Sequence, residues 1–482
     1  MSKQDSLKEK TTKGILWGGF SNGLQQLLNL FFGIWLSRIL NVEDYGVIGV
    51  LTIFTLIAST LQESGFTQAL ANKKNPSSKD YNAVFWCSSL IGLTLYLILF
   101  FTAPLLAQFF HIPELTPLAR ILFLGFLFSS FGTAQNAYLF KNLMVKQRAI
   151  AMIVGLIFSG SLGIILAYQG FAYWGLAIQH LSYILCTNSL FWFFSKWRPT
   201  LQFSFQPIRE MLPFSSRILV TKICTHLNNH VFNILIGRFY NRVEVGYFSQ
   251  ANKWNLMGSS VVSEMIQGVA QPVLSNVVKD QERQVRILKK MLAFTAFVSF
   301  PALWGLAYIA PEFIAIALTE KWMQSAYILQ ILCIGGAFMP LSNLLGNLII
   351  SRGKSSVYMW NTISFGAVQL ALALSLYPYG IRTMVIASVC VQIMWFFIWF
   401  LISRQEISLS WKVLFTSILP FLLSIILSLA ISHLLTQSIH NIYLLILSKI
   451  AITASAYLSL LAFFKNSILL ETFEYLKKLL LN

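Results

Sequence analysis

Charge is scarce in this chain of 482 residues, and acid is scarcer still: 11% of the residues are charged, with 17 Asp and Glu against 35 Lys and Arg. A soluble domain carries about 25% charged residues, so water cannot be the solvent around most of this surface. Cysteine is also rare. The five present, Cys87, Cys186, Cys224, Cys333 and Cys390, lie in apolar runs with no CxxC pair, which argues against a disulfide framework or a zinc site and leaves small packing residues. No Walker loop, dinucleotide fingerprint or metal-ligand cluster occurs, so no cofactor, no metal and no ATP-driven step is expected. Long polar loops are missing too. A membrane glycosyltransferase, polymerase or ligase would carry its acids and bases on a sizeable aqueous segment, so the chain is not expected to be an enzyme.

What is abundant is apolar side chain: 56% of the residues are hydrophobic and 15% aromatic, with a mean hydropathy of +0.67. Between the charged clusters the chain runs apolar for about 20 residues at a time, the length that spans a hydrocarbon core of ~30 Å at 1.5 Å per residue. In lipid the backbone must be satisfied by helices or a closed barrel, and these runs lack the short alternation of barrel strands. The expected fold is therefore an all-α integral membrane protein with about 14 transmembrane helices between residues 14 and 464. The run from Gly14 has no small-residue cleavage site before Arg38, and reads as a span rather than a signal peptide.

A net charge of +18 could point to nucleic acid, but its placement points elsewhere. With the N-terminus in the cytoplasm, 25 of the Lys and Arg fall in the two tails and the alternate loops on that side, 5 fall outside (Arg38, Arg238, Arg242, Lys321, Arg382), and 5 sit within spans. That asymmetry is what the positive-inside rule requires of an even number of spans, and one span more or fewer would scramble it. Both termini are thus expected in the cytoplasm, and no nucleic-acid partner is implied.

The chain also resembles itself. At an offset of 200, Arg38, Asn41 and Gly46 align with Arg238, Asn241 and Gly246. In the preceding run Asn22, Gln26, Asn29 and Gly33 share one helical face, and at the same offset Lys222, His226, Asn229 and Asn233 do likewise. Six spans separate the copies, so both enter the membrane in the same direction, as in transporters built from parallel repeats. On this reading the chain comprises a cytoplasmic tail (1–13), a six-helix bundle (14–195), a cytoplasmic linker (196–209), a second six-helix bundle (210–402), two further spans (403–464) and a cytoplasmic tail (465–482).

Charges at mid-bilayer cost roughly 2.5–3.5 kcal/mol on insertion scales, so those present face a bundle interior or a watery cavity. Lys222 lies deep in the seventh span, with Arg217 nearer the cytoplasm. The eighth carries Lys253, Ser260, Glu264, Gln267 and Gln271 on one face, with Glu264 at about the depth of Lys222. These residues suit a cationic cavity between the halves that holds an anionic head group; they also suit a network that locks helices together. Glu63 is the corresponding acid of the second span, either a proton or cation site or a partner for Arg217. Arg120 and Lys449 stand within two turns of the outer surface, where a long side chain can snorkel to the head groups. His226 and His230, one turn apart with no third ligand, read as hydrogen-bonding residues.

Beyond these readings, the chain resembles the Wzx-type polysaccharide flippases, within the superfamily that also holds the multidrug and toxic-compound extruders. The resemblance rests on KGILW (13–17), LSRILNVEDYG (36–46), ESGFTQAL (63–70), YWGLAIQHL (173–181), KWRPTLQFS (196–204), IGRFYNRVEVGYFSQANK (236–253), KWMQSAYILQIL (321–332) and NLIISRGKS (347–355), and fades over the last two spans. It implies a transporter in the bacterial cytoplasmic membrane that moves a polyprenyl-diphosphate-linked oligosaccharide to the outer leaflet for assembly of a surface polysaccharide (O-antigen, capsule or exopolysaccharide), alongside other assembly proteins. In that role Arg217, Lys222 and Lys253 would hold the diphosphate, His226, Asn229, Asn22, Gln26 and Asn29 would line the cavity, and Glu63 and Glu264 would be candidate coupling acids. A cation-coupled small-molecule extruder on the same fold is the alternative.

Overall fold

The computed structural model describes residues 3–63, 66–73, 76–201, 204–466, 468–471 and 474, with backbone but not side chains in several helical stretches such as 3–16, 62–63, 212–218 and 267–269. All regular structure among the described residues is helical. The helices are α1 (Lys3–Ile39), α2 (Val42–Glu63), α3 (Phe66–Asn72), α4 (Ser78–Phe110), α5 (Leu115–Leu122), α6 (Leu124–Ser130), α7 (Thr133–Lys141), α8 (Val145–Tyr168) and α9 (Ala172–Phe194). They continue as α10 (Gln206–Phe239), α11 (Arg242–Asn276), α12 (Gln281–Ala317), α13 (Met323–Gly336), α14 (Met339–Ser351), α15 (Ser355–Leu376), α16 (Ile381–Ile407), α17 (Trp411–Thr436) and α18 (Ile442–Phe463).

Among the described residues, nine helical runs are long and apolar enough to cross a membrane, and the bent series α5 to α7 makes a tenth. The long helices left over are α1, α9, α10 and α11, and three of them, α1, α10 and α11, carry the polar stripes seen in the sequence. The polar residues of those stripes lower the hydropathy there. Elsewhere the apolar faces turn outward: α15 and α18 bury only 11% and 17% of their most apolar windows, and Phe101, Phe193, Leu434 and Phe463 are exposed. Apolar surface on that scale is stable only against lipid. The chain is a multi-pass membrane protein.

The helices gather into two compact units, Met1–Gly246 and Tyr247–Asn482. In the first, α8 lies along α9 and α1, while α10 packs on α2 and α4. The unit boundary thus falls one helix beyond the linker at 196–209. That linker is strapped to α4: Asn82 Nδ2 donates to Thr200 Oγ1 at 2.9 Å, the Thr200 N–H donates to Asn82 Oδ1 at 2.8 Å, and the Trp86 indole donates to the Thr200 carbonyl at 2.8 Å. Trp197 fills an apolar cluster with Phe66, Leu70, Tyr81 and Phe85 beneath it. At the start of α4, Ser77 and Asp80 form a capping box, and the Lys73 ammonium lies 2.9 Å from Asp80.

The opposite end of the first unit realises the sequence repeat as a contact. A Cβ on Gly46 would run into the carbonyl oxygen of Arg242, and a Cβ on Gly246 into the carbonyl oxygen of Val42. Because Val42 and Arg242 are themselves 200 residues apart, the two copies of the motif touch reciprocally, each glycine against the other helix's first residue. Only a residue without a side chain lets the backbones approach this closely. Arg242 reinforces the crossing, 2.7 Å from Glu43 and 3.8 Å from Glu114.

In the second unit α12 is the strut, packed by α13, α14, α16, α17 and α18. Tyr457 of α18 donates to the Phe297 carbonyl at 3.0 Å while its ring stacks on Phe297, and Ser299 donates to the Ala337 carbonyl at 2.7 Å. The last two helices are therefore integrated into this unit through α12.

Candidate functional site

The first unit holds a half-open cavity of about 510 Å³ among α1, α2, α5, α8 and α9. Its polar wall comprises amides from Gln25, Asn29 and Gln179, hydroxyls from Thr52, Thr55 and Ser159, and the rings of Tyr45, His180 and Tyr183. Helical spacing produces this wall. Gln25 and Asn29 are one turn apart on α1, as are Thr52 and Leu56 on α2 and Gln179 and Tyr183 on α9. Gln25 is steadied by donating to Ser21 Oγ at 2.8 Å. No Asp, Glu, Lys or Arg lines this cavity among the described residues. Amides and hydroxyls offer both donors and acceptors, which suits uncharged hydroxyl-rich groups better than bare anions.

Tyr183 also lines a smaller compartment of about 170 Å³ on the side of the unit that carries Lys141 and Lys146. Its wall includes Asn136, Thr133, Asn188, Thr187 and one cation, Arg148. The Arg148 Nε donates to Asn136 Oδ1 at 2.9 Å, and its guanidinium lies 4.9 Å from the Phe140 ring centroid. Asn188 donates to the Phe128 carbonyl at 2.8 Å, which fixes its amide toward α6. A third pocket, of about 510 Å³, opens at the reciprocal glycine crossing, where Arg238 reaches His111 at 3.0 Å.

The residues singled out from the sequence distribute unevenly over these features. Asn29 lines the large cavity; Asn22 is exposed and Gln26 half-buried on α1, and the cavity takes Gln25 from the neighbouring face. Lys222, His226 and Asn229 are half-buried on α10, and His230 keeps its Nδ1 buried. The side chains of Arg217 and Glu63 lie outside the described residues. Lys253 and Glu264 belong to α11 in the second unit, both exposed, with the Lys253 ammonium 5.8 Å from the Trp254 ring centroid.

Two cations expected to snorkel instead find partners inside the protein. Arg120 packs 4.4 Å over the Phe100 ring and donates to the Phe100 carbonyl at 3.4 Å. Lys449 lies 2.6 Å from Glu312, with side chains 12% and 11% exposed, and 4.4 Å over the Tyr308 ring. The signal missed in the sequence was Glu312, an acid in an apolar run with no neighbour in sequence to give it meaning.

Comparison with known proteins places this architecture. A sequence model of the polysaccharide biosynthesis protein family matches residues 35–327. The chain belongs to this family. Among relatives, a membrane protein of the cps region of Klebsiella pneumoniae is 26% identical over 355 residues, covering 72% of this chain and 73% of that protein. The lipopolysaccharide biosynthesis protein WzxC of Escherichia coli (strain K12) is 23% identical over 358 residues, covering 73% and 72%. Among solved structures, the lipid II flippase MurJ in an inward closed conformation superposes with a TM-score of 0.74 at 17% identity, covering 93% of this chain and 98% of that one. This polysaccharide biosynthesis protein therefore shares the fold of that flippase, and the resemblance read from its motifs holds.

Proposed function

We propose that the chain is a flippase that carries a polyprenyl-diphosphate-linked oligosaccharide from the inner to the outer leaflet of the bacterial cytoplasmic membrane, for surface polysaccharide assembly. The observation that carries this reading is the uncharged polar cavity of the first unit, a lining matched to sugar hydroxyls inside a protein of this family. A lipid-linked sugar can keep its prenyl tail in the bilayer while its polar head crosses through the protein, out of contact with hydrocarbon. The relatives' names support the substrate class: one is a lipopolysaccharide biosynthesis protein, another a succinoglycan biosynthesis transport protein of Rhizobium meliloti (strain 1021).

In this reading the chain catalyses no covalent step and works by alternating access. Fourteen spans place both termini in the cytoplasm, with two parallel six-helix repeats and an added pair. Lys222, Lys253 and Arg217 meet the diphosphate in transit, His226, Asn229, Asn22, Gln26 and Asn29 meet the glycan, and Glu63 and Glu264 are the candidate coupling acids. An inside-negative membrane favours the direction, since each negative charge carried outward gains about 2.3 kcal/mol per 100 mV.

The test is reconstitution of the full chain in liposomes with a fluorescent polyprenyl-diphosphate disaccharide in both leaflets and a membrane-impermeant quencher. Protein-dependent exposure of the inner-leaflet pool is the expected result. Dye efflux without glycolipid movement would replace this reading with small-molecule extrusion.

A further inference from the structure

The two neighbouring compartments of the first unit, which share Tyr183 as a wall residue, differ in chemistry in a way that a single mixed cavity would not. The larger, at about 510 Å³, falls within the ~300–1,000 Å³ range of small-molecule sites and is lined by neutral donors and acceptors. The smaller, at about 170 Å³, is below that range and holds Arg148, the one formally charged residue lining either compartment among the described residues. Tyr183 belongs to both walls.

We propose that the pair is a loading site for the head of the lipid-linked saccharide, in which Arg148 reads the phosphate in the small compartment and the neutral cavity takes the attached sugar. The proposal rests on the translocation reading above and adds to it where the substrate first docks and which residue recognises its anionic part.

The chemistry is asymmetric in the right sense. Phosphate oxygens only accept hydrogen bonds, so they select a cationic donor, and a planar guanidinium suits them better than an ammonium. Sugar hydroxyls both donate and accept, so they select amides such as Asn29 and Gln179, whose two ends do the same. No carboxylate lines either compartment among the described residues to repel the anion. Arg148 is also held in place beforehand, by its hydrogen bond to Asn136 and by the Phe140 ring beneath its guanidinium.

Position agrees with order of use. Arg148 is the fourth residue of α8, close to Lys141 at the end of α7 and Lys146 in the first turn of α8, and the small compartment takes Thr187, Asn188 and Phe191 from the last turns of α9. The neutral cavity uses the earlier part of α9, from Leu176 to Tyr183, and the later part of α8, at Leu156 and Ser159. A head group arriving at the basic end therefore meets the cation first and places its sugar deeper, with the sugar–phosphate linkage beside Tyr183.

The experiment measures binding of two lipids to the full chain in nanodiscs: polyprenyl diphosphate, and the same lipid bearing a disaccharide. The wild type is expected to bind the glycosylated lipid more tightly. Arg148→Gln should weaken both by about tenfold or more, and Arg148→Lys, which keeps the charge, by less. Asn29→Leu combined with Gln179→Met should weaken only the glycosylated lipid and erase its advantage. Each variant is compared at equal monodisperse yield and thermal midpoint, and Arg148→Lys serves as the test if Arg148→Gln does not fold. Unchanged affinity of a folded Arg148→Gln for polyprenyl diphosphate, or equal loss of both lipids in the cavity variant, overturns the loading site. If the wild type still moves glycolipid in liposomes, that failure is confined to the loading site; if it moves none, the translocation reading falls as well.

Discussion

Lys449 and Glu312 show how one side chain changes meaning once its partner is known. From the sequence Lys449 is a long cation near the outer surface; in the structure it meets Glu312 at 2.6 Å and both are nearly buried. Breaking a buried pair by removing one partner typically costs about 3–5 kcal/mol, because the other charge is left uncompensated, whereas replacing both with apolar groups is often close to neutral. Lys449→Ala should therefore lower the thermal midpoint of the detergent-purified protein markedly, and Lys449→Met with Glu312→Leu should recover most of the loss. Equal midpoints for Lys449→Ala and wild type would show that the pair does not hold α18 to α12. Residues of the candidate site were legible to the extent that they repeat along a helix. Asn29 emerged from the polar stripe of α1, but its cavity partner is Gln25 rather than Gln26. Successive residues are about 100° apart around a helix, and only the packing of α8 and α9 decides which neighbour faces inward. Arg148 was invisible as a site residue for a different reason: a basic residue at a cytoplasmic helix start already has a topological explanation.

At the scale of elements, the repeat motif is a packing device. The same offset of 200 that aligns Gly46 with Gly246 aligns the residues they touch, Val42 and Arg242. Gly46→Ala or Gly246→Ala must force two backbones apart, and small-residue contacts of this kind are what let membrane helices approach closely. Either variant should give a much lower yield of monodisperse protein, measured by fluorescence size-exclusion, while Gly23→Ala, with nothing within 4 Å of the added carbon, should behave as wild type. Normal behaviour of both crossing variants would mean that the contact is dispensable. The long helices that fall outside the apolar runs among the described residues, α1, α9, α10 and α11, include three whose polar stripes had marked them as functional. Low hydropathy and polar stripes are one fact seen twice, since each polar residue of a stripe lowers the mean of its helix.

For the whole molecule, the charge asymmetry makes a definite topological claim. In a chain whose native cysteines are replaced by serine or alanine, Ser408→Cys, between α16 and α17, should react with an impermeant maleimide only after the cells are opened. Ser438→Cys, between α17 and α18, should react in intact cells. The reverse pattern would invert the orientation, and equal labelling would break the count of spans between these sites.

Membrane residence and helical class follow from composition and run length alone, because lipid leaves the backbone few options. The repeat, too, is written in residue identities at a fixed offset. Which residues share a cavity depended on tertiary packing: the pairing of Lys449 with Glu312 spans 137 positions, and the cavity wall draws on helices from α1 to α9. The physical reason is that periodicity assigns a residue to a face of its own helix, whereas the neighbour that face meets is selected by the fit of all the helices around it.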